Sequence, residues 1–374
     1  MKVLLLGRIG LFEVGGGDKI QIENTAENLK KLGVSVDIKT SMDFDPQNYD
    51  LVHAFQLDWT PETYFYAQKV HAANVPFVLS PIHHNVAEVK VFDDSYAFGL
   101  RRISKFLFKK QHSRDTFKNV YRTFFDKRKL KVTLQSVFLG LKNMHKKTLE
   151  LADVVLVQTE KEASDLMNTY KVDFEWKKVP NGVGECFTKE MQSENPLDFD
   201  NYIISVGRIE PRKNQINITK AVAAFRKETS KDIKLVFIGS KNSRHFEYVL
   251  RFEWYLKKYP WIQYVQQIPY DQMPAYYSHA KVGVSASWFE TTGLTSLEAL
   301  FCGTNAVAAG ERAKEYLGDS ASYCSPESVT SIKEAISKEY NASRPEIKEQ
   351  MLREYTWENA AKMTLEVYER LLSK

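Results

Sequence analysis

The order of residues predicts an α/β fold in two halves, each a parallel sheet with helices on both faces. Three observations lead there. Short apolar runs of strand length alternate with helical stripes. The alternation stops at Pro180-Asn181-Gly182-Val183 and then begins again. The 374 residues are enough for two domains that each bury a core.

Residues 2–6 read as a buried strand, 7–17 as a glycine-rich loop, and Ile22, Ala26, Leu29 and Leu32 as the apolar stripe of a helix closed by Gly33. Strands follow at 34–38, 49–54, 77–79 and 154–157, several of them leading into a helical segment. After the turn-rich break, 202–206 is a strand, Ile218, Val222 and Phe225 stripe a helix, 233–238 runs into Gly239, and 281–285 forms a further strand. Open sheets of this kind bind ligands beyond the carboxyl ends of their strands, so the chemistry is expected in the loops there.

With 43% hydrophobic and 26% charged residues the chain has a globular, soluble composition. Met1-Lys2-Val3-Leu4-Leu5-Leu6-Gly7 is too short and too quickly charged for a signal peptide, and no eighteen consecutive residues are apolar. Cys186, Cys302 and Cys324 lack metal-ligand spacing and are odd in number, which predicts a reducing compartment. The expected location is the cytoplasm, free or peripheral on the inner membrane face.

The net charge of +5 is unevenly placed. Residues 91–150 hold fifteen Lys and Arg against five Asp and Glu, an excess of ten positive charges that leaves the rest of the chain net negative. Tyr96, Leu100, Ile103 and Leu107 fall on one helical face, with Arg101, Arg102, Lys105 and Lys109 opposite. Phe117, Val120, Tyr121 and Phe124 continue a second such helix beside Lys118 and Arg122, before Lys127-Arg128-Lys129 and an apolar run over 132–141. One reading is docking on an anionic bilayer; another is apolar stripes packed on the first half with a solvated basic face. Nucleic acid ranks last, because no recognised motif accompanies the charge.

The stretch from Ser287 to Leu300 concentrates the chemistry. Glu290 and Glu298 bracket Gly293 at the start of an apolar-periodic helix. If every residue between them were helical they would stand roughly 12 Å apart along the axis. Glu290 is expected just ahead of the first turn. The amides after Gly293, at a helix N-terminus, favour phosphate. Gly207-Arg208 directly follows a strand, with Lys213 five positions on, and two such cations suit a pyrophosphate. Taken singly, each of these features is also an ordinary surface acid or a solvated loop.

Their order resembles the retaining GT-B glycosyltransferases of family 4. The resemblance is carried by Ser205-Val206-Gly207-Arg208-Ile209-Glu210-Pro211-Arg212-Lys213-Asn214, the 290–298 block, Gly15-Gly16-Gly17, Val179-Pro180-Asn181-Gly182-Val183 and Tyr355-Thr356-Trp357-Glu358-Asn359-Ala360-Ala361. It implies two Rossmann-like domains facing across a cleft. Residues 1–180 would form an acceptor domain with a basic helical insertion at about 91–150, and 181–357 the nucleotide-sugar donor domain. A last helix at about 358–374 would cross back to the first domain.

By this resemblance Arg208 and Lys213 would hold the donor diphosphate, Glu290 would orient a hydroxyl of the transferred sugar, and Glu298 would bind ribose hydroxyls. Gly207, Ile268 and the segment Thr291, Thr292, Gly293 and Leu294 would complete the donor pocket. Gly16 and Gly17, after Gly15, would let backbone approach the sugar and phosphates, although three glycines also suit a flexible turn. His83 of Ser80-Pro81-Ile82-His83-His84-Asn85 stands where the family often carries an active-site histidine, and His84 beside it competes for that role. His53, at a strand end, reads as support. Asn214, Thr291-Thr292 and Cys302-Gly303-Thr304-Asn305 depart from the commoner family residues.

The implied activity is a hexosyltransferase-type reaction. A sugar would pass from a nucleotide-diphosphate sugar to a glycan or lipid-linked glycan with retention, and without a cofactor or metal. Asp43-Phe44-Asp45 lies in an early loop and is rejected as a metal site. A GT-B nucleotide-sugar epimerase, a phosphorylase and a non-catalytic partner subunit are the alternatives.

Overall fold

The computed structural model describes residues 1–13, 16–58, 61–95, 100–123, 128, 130–188 and 194–373. Gly15, Tyr96, Phe124, Lys127 and Lys129, to which the sequence reading gave roles, lie outside the described residues. Two compact units emerge: Met1–Lys90 with Leu100–Gly182 and Glu354–Lys374, and Val91–Gly99 with Val183–Arg353.

The N-terminal unit opens with β1 (Lys2–Leu6), α1 (Gly17–Lys31), β2 (Ser35–Lys39), β3 (Leu51–Phe55), α2 (Glu62–Ala72) and β4 (Phe77–Ser80). A helical stretch follows: α3 (Val86–Ser95), α4 (Leu100–Leu107), α5 (Gln111–Thr123), α6 (Leu130–Leu139) and α7 (Leu141–Leu151). Then come β5 (Val154–Val157), α8 (Glu160–Tyr170) and β6 (Trp176–Lys178). The C-terminal unit holds β7 (Tyr202–Val206), α9 (Gln215–Thr229), β8 (Leu235–Ile238), α10 (Phe246–Lys258), β9 (Ile262–Val265), α11 (Met273–His279) and β10 (Ala280–Val284). It continues through α12 (Leu294–Phe301), β11 (Asn305–Ala309), α13 (Glu311–Leu317), β12 (Ala321–Cys324), α14 (Val329–Asn341) and α15 (Glu349–Glu354). Last comes α16 (Trp357–Leu372), which packs on α1 of the N-terminal unit.

Among the described residues each unit has a six-stranded sheet, ordered β2-β1-β3-β4-β5-β6 and β12-β11-β10-β7-β8-β9. All the neighbouring pairs are parallel. The strand order reverses direction between β1 and β3 in the first sheet and between β7 and β10 in the second. Loops leaving such a pair at their C-terminal ends run to opposite faces and leave a crevice, which makes these the two places to look for a site.

Helices cover both faces of a parallel sheet, so its strands are nearly continuous apolar runs, and β3, β4, β5 and β8 are buried at every position. Four strands escaped the sequence reading. The edge strands β6 and β9 keep partly exposed, mixed side chains, Trp-Lys-Lys and Ile-Gln-Tyr-Val. Asn-Ala-Val-Ala-Ala in β11 and Ala-Ser-Tyr-Cys in β12 are too rich in small residues to signal a strand.

His53, 1% exposed within β3, joins α16 to the sheet. Its Nδ1 lies 2.6 Å from Tyr368 Oη and its Nε2 2.9 Å from Ser80 Oγ, with the ring stacked on Phe55. Burial pushes the imidazole down to about 3, so it is neutral and structural, in keeping with its reading as support. Thr356 caps α16 by accepting from the Asn359 amide at 3.1 Å, and Trp357, Ala360, Ala361, Thr364 and Tyr368 form its buried stripe.

The basic segment differs from its expected form. Lys118, read as part of a surface face, is 8% exposed and pairs with the equally hidden Asp115 at 3.1 Å. No helix among the described residues is long and apolar enough to cross a membrane.

Candidate functional site

In the C-terminal unit two loops meet at the reversal between β7 and β10. β7 runs into Gly207, whose φ of +146° strains any residue with a Cβ. A Cβ there would also stand 3.2 Å from Lys213 Cε, so the lysine stem lies directly across the glycine. The chain then makes a tight turn over Pro211–Lys213 and enters α9 at Asn214. Asn214 adopts φ +62°, a left-handed conformation that asparagine tolerates well, and its amide donates to Ala286 O at 3.0 Å and Pro326 O at 2.7 Å. Asn214, a departure from the commoner family residue, therefore fits the left-handed turn and adds two anchors to it.

Glu290 arrives from the loop after β10. Its carboxylate accepts from Arg212 Nη1 at 3.0 Å and from Lys213 Nζ, closing a half-buried ion cluster. Burial alone would raise Glu290; the charges of Lys213 and then Arg212 hold it well below the usual carboxylate range. Burial pushes Lys213 below the ordinary lysine range, with Glu290 opposing. Glu210 stands behind them, 3.3 Å from Arg212 and 3.8 Å from Arg208, and accepts from Asn242 at 2.8 Å. It too would be raised by burial, and Arg212 and then Arg208 bring it down to about 2. These five groups sum to one positive charge. The Arg208 side chain, 40% exposed against 7–21% for the rest, is the one that solvent or a ligand reaches first.

Glu290 precedes the helix, as its spacing predicts. α12 begins at Leu294, after Gly293 with φ +63°. Thr291 is partly exposed and Thr292 buried. Glu298 sits inside α12, 6% exposed, and accepts from Tyr270 Oη at 2.8 Å and Tyr277 Oη at 3.4 Å. Burial raises its carboxyl against those two bonds. Ile268 lies partly exposed in the loop after β9, two residues before Tyr270. The two carboxylates thus have opposite surroundings, cations for Glu290 and phenols for Glu298.

The N-terminal unit carries a second group at the strand ends beside its own reversal. His83, 1% exposed, places Nδ1 2.5 Å from Asp58 Oδ1, and the His84 amide donates to Asp58 Oδ2 at 2.6 Å. Burial would raise Asp58, but His83 and His84 drive it well below the carboxylate range. The His83 amide donates to Glu162 Oε1 at 2.6 Å. Thr159-x-x-Glu162 is a capping-box pattern, and Thr159 Oγ1 does accept from the Glu162 amide at 3.0 Å. The Glu162 carboxylate reaches instead to His83 and to the Gln158 amide at 2.7 Å, so the start of α8 fixes the histidine loop. Gly16 caps α1, and a Cβ there would meet Asp18 Oδ1 at 2.8 Å; a Cβ on Gly17 would meet no side chain of the described residues within 4 Å.

The structure therefore gathers Gly207, Arg208, Lys213 and Glu290 into one cluster, carries Glu298 on the adjoining helix α12, and holds His83, Gly16 and Gly17 in the other unit. The sequence reading missed Arg212, Glu210, Tyr277 and Asp58 as partners. Arg212 was visible beside Lys213, but nothing in sequence showed that both cations would turn toward Glu290.

Residues 187–359 match the family model described as glycosyl transferases group 1. The O-antigen chain mannosyltransferase B of Escherichia coli is 27% identical over 203 residues, 52% of this chain and 51% of that protein. The D-inositol 3-phosphate glycosyltransferase of Corynebacterium glutamicum is 27% identical over 177 residues, 42% of this chain and 41% of that protein. The chain thus spans about half the length of the curated relatives it matches, or less. Among solved structures, sucrose-phosphate synthase from Thermosynechococcus elongatus superposes over 100% of both chains with a TM-score of 0.70 at 15% identity. HepE of Anabaena, in complex with UDP and glucose, covers 99% of this chain and 100% of its own with a TM-score of 0.68 at 15% identity. The fold is GT-B, as the sequence reading expected, and residues 187–359 carry a similarity to glycosyl transferases group 1.

Proposed function

We propose that this chain is a retaining hexosyltransferase of the family 4 type, moving a sugar from a nucleotide-diphosphate sugar to a glycan or lipid-linked glycan without a metal. The observation that carries the reading is the cluster of Arg208, Arg212, Lys213 and Glu290 at the strand reversal of the C-terminal unit. Arg208 and Lys213 grip the diphosphate and stabilise the charge that grows on it as it leaves. Glu290 turns from the cations to a hydroxyl of the transferred sugar. Glu298 offers roughly two acceptor positions beyond its two tyrosine bonds, enough for a pair of ribose hydroxyls. The acceptor hydroxyl attacks the face from which the diphosphate departs, and a phosphate oxygen takes its proton. The enzyme contributes positioning and electrostatics.

UDP and UDP-glucose accompany HepE in its crystal structures, which favours a uridine donor as the first to try. The test is a panel of UDP-, GDP- and ADP-sugars scored by thermal shift and slow donor hydrolysis. One nucleotide series is expected to stabilise the protein, and Glu298→Ala and Lys213→Ala to erase that effect. Stabilisation unchanged in both variants would place the pocket elsewhere.

A further inference from the structure

Two of the helices between β4 and β5, α4 and α6, turn apolar stripes outward. On α4, Ile103, Phe106 and Leu107 recur at the i, i+3, i+4 spacing of a buried stripe, yet all are exposed, Phe106 by 82%. On α6, Leu130, Leu134, Val137 and Phe138 form a second stripe at i, i+4, i+7, i+8, and Phe138 is 88% exposed. The faces turned inward are largely polar, Val132 of α6 being a buried apolar exception. Ser104 and Ser136 are fully buried, Thr123 donates to Thr133 at 3.0 Å, and Asp115 accepts from both Gln111 and Lys118 at 3.1 Å. Scattered exposed apolar residues are ordinary, whereas whole stripes turned outward over a polar interior mark an interaction surface.

Charge identifies what covers it. Among the described residues from 100 to 139 the exposed charges are Arg102, Lys105, Lys109, Lys110 and Arg128, all basic, the last of them paired with the exposed Glu13 at 2.5 Å, and the acid, Asp115, is buried. A second copy of the chain would bring like charges together on this face. An anionic lipid surface meets both features at once, taking aromatic side chains into its interfacial layer and basic ones against its headgroups.

We propose that the outer faces of α4 and α6, both packed on α5, dock the protein on an anionic bilayer through Phe106, Phe138 and the surrounding lysines and arginines. This deepens the transferase reading by naming the phase in which a lipid-linked acceptor is met.

The test uses the full chain without nucleotide, sedimented with phosphatidylcholine vesicles and with mixed phosphatidylcholine–phosphatidylglycerol vesicles at low and high salt. The protein is expected to follow the mixed vesicles at low salt. Phe106→Ser with Phe138→Ser, and separately Lys105→Glu with Lys109→Glu, are each expected to weaken binding by about tenfold or more. Donor hydrolysis measured without vesicles stays unchanged in all variants, so failure of the transferase reading and failure of docking are separate results. Wild-type protein left in the supernatant with both vesicles, or serine variants that bind as well as wild type, would overturn the proposal. So would a dimer in sedimentation velocity that the serine changes dissolve, with no vesicle affinity, because the face would then belong to a second copy.

Discussion

Lys213→Ala is expected to lower donor turnover by roughly 10³-fold, the scale of losing a preorganised group that meets charge developing in the transition state. The fold should tolerate the change. Arg212 remains 3.0 Å from Glu290, so the carboxylate keeps a cation and the cluster is not left with an unpaired buried charge. Glu290→Gln separates the roles further. Removing that carboxylate leaves Arg212, Lys213 and Arg208 facing only Glu210, so a nucleoside diphosphate should bind at least as tightly while turnover falls by about 10²-fold or more. Steady-state kinetics and calorimetric titration with the nucleoside diphosphate check both variants. Weaker diphosphate binding in Glu290→Gln would mean that the carboxylate is not a competitor for the same cations.

Acidification is expected to unfold the protein well before ordinary carboxylate titration would. Burial pushes His53 and His145 down to about 3, and burial with the charge of Lys142 pushes His112 down to about 4. All three lie in the N-terminal unit. Their folded-state values lie below the unfolded value near 6.5, so their contribution is complete above that pH and is lost as the pH falls toward 4 and then 3. Each neutral histidine held this way costs about 1.4 kcal/mol of stability per pH unit across that window. Below about 4.5 the loss steepens, because Asp58, Glu210 and Glu290 are held ionised beneath their unfolded values. Urea midpoints at a series of pH values should fall steadily from near neutrality toward 5. His53→Gln, which cannot take up a proton, should flatten part of the slope. Midpoints that hold level over that range would show the histidines to be charged in the folded protein.

Lys213 and Glu290 stand 77 positions apart, and their place at strand ends was legible because apolar runs that lead into Gly207 or end at Ser285 mark where a parallel sheet delivers its loops. The order of motifs added which charges to expect there. Neither could show that Arg212 shares Glu290 with Lys213, or that Tyr270 and Tyr277 turn their hydroxyls to Glu298, because those pairings depend on loop backbones that periodicity does not fix. Asn214 shows a milder limit: a residue that looked like a departure satisfies the same left-handed turn. For α6 the sequence showed only an apolar run over 132–141, and not which side Leu134, Val137 and Phe138 would show to water, since a stripe has the same period whether it faces a core or a bilayer. Asp58 had no signal at all, because its partners follow a different strand.

The central claim is that the basic cluster at the end of β7 receives the donor diphosphate. A crystal structure of the protein soaked with a nucleoside diphosphate tests it most directly. The account predicts phosphate density against Lys213 Nζ and the Arg208 guanidinium, with ribose on Glu298 and Glu290 drawn away from the lysine. Diphosphate density elsewhere on the protein, with Glu290 still closed on Lys213 and Arg212, would contradict it.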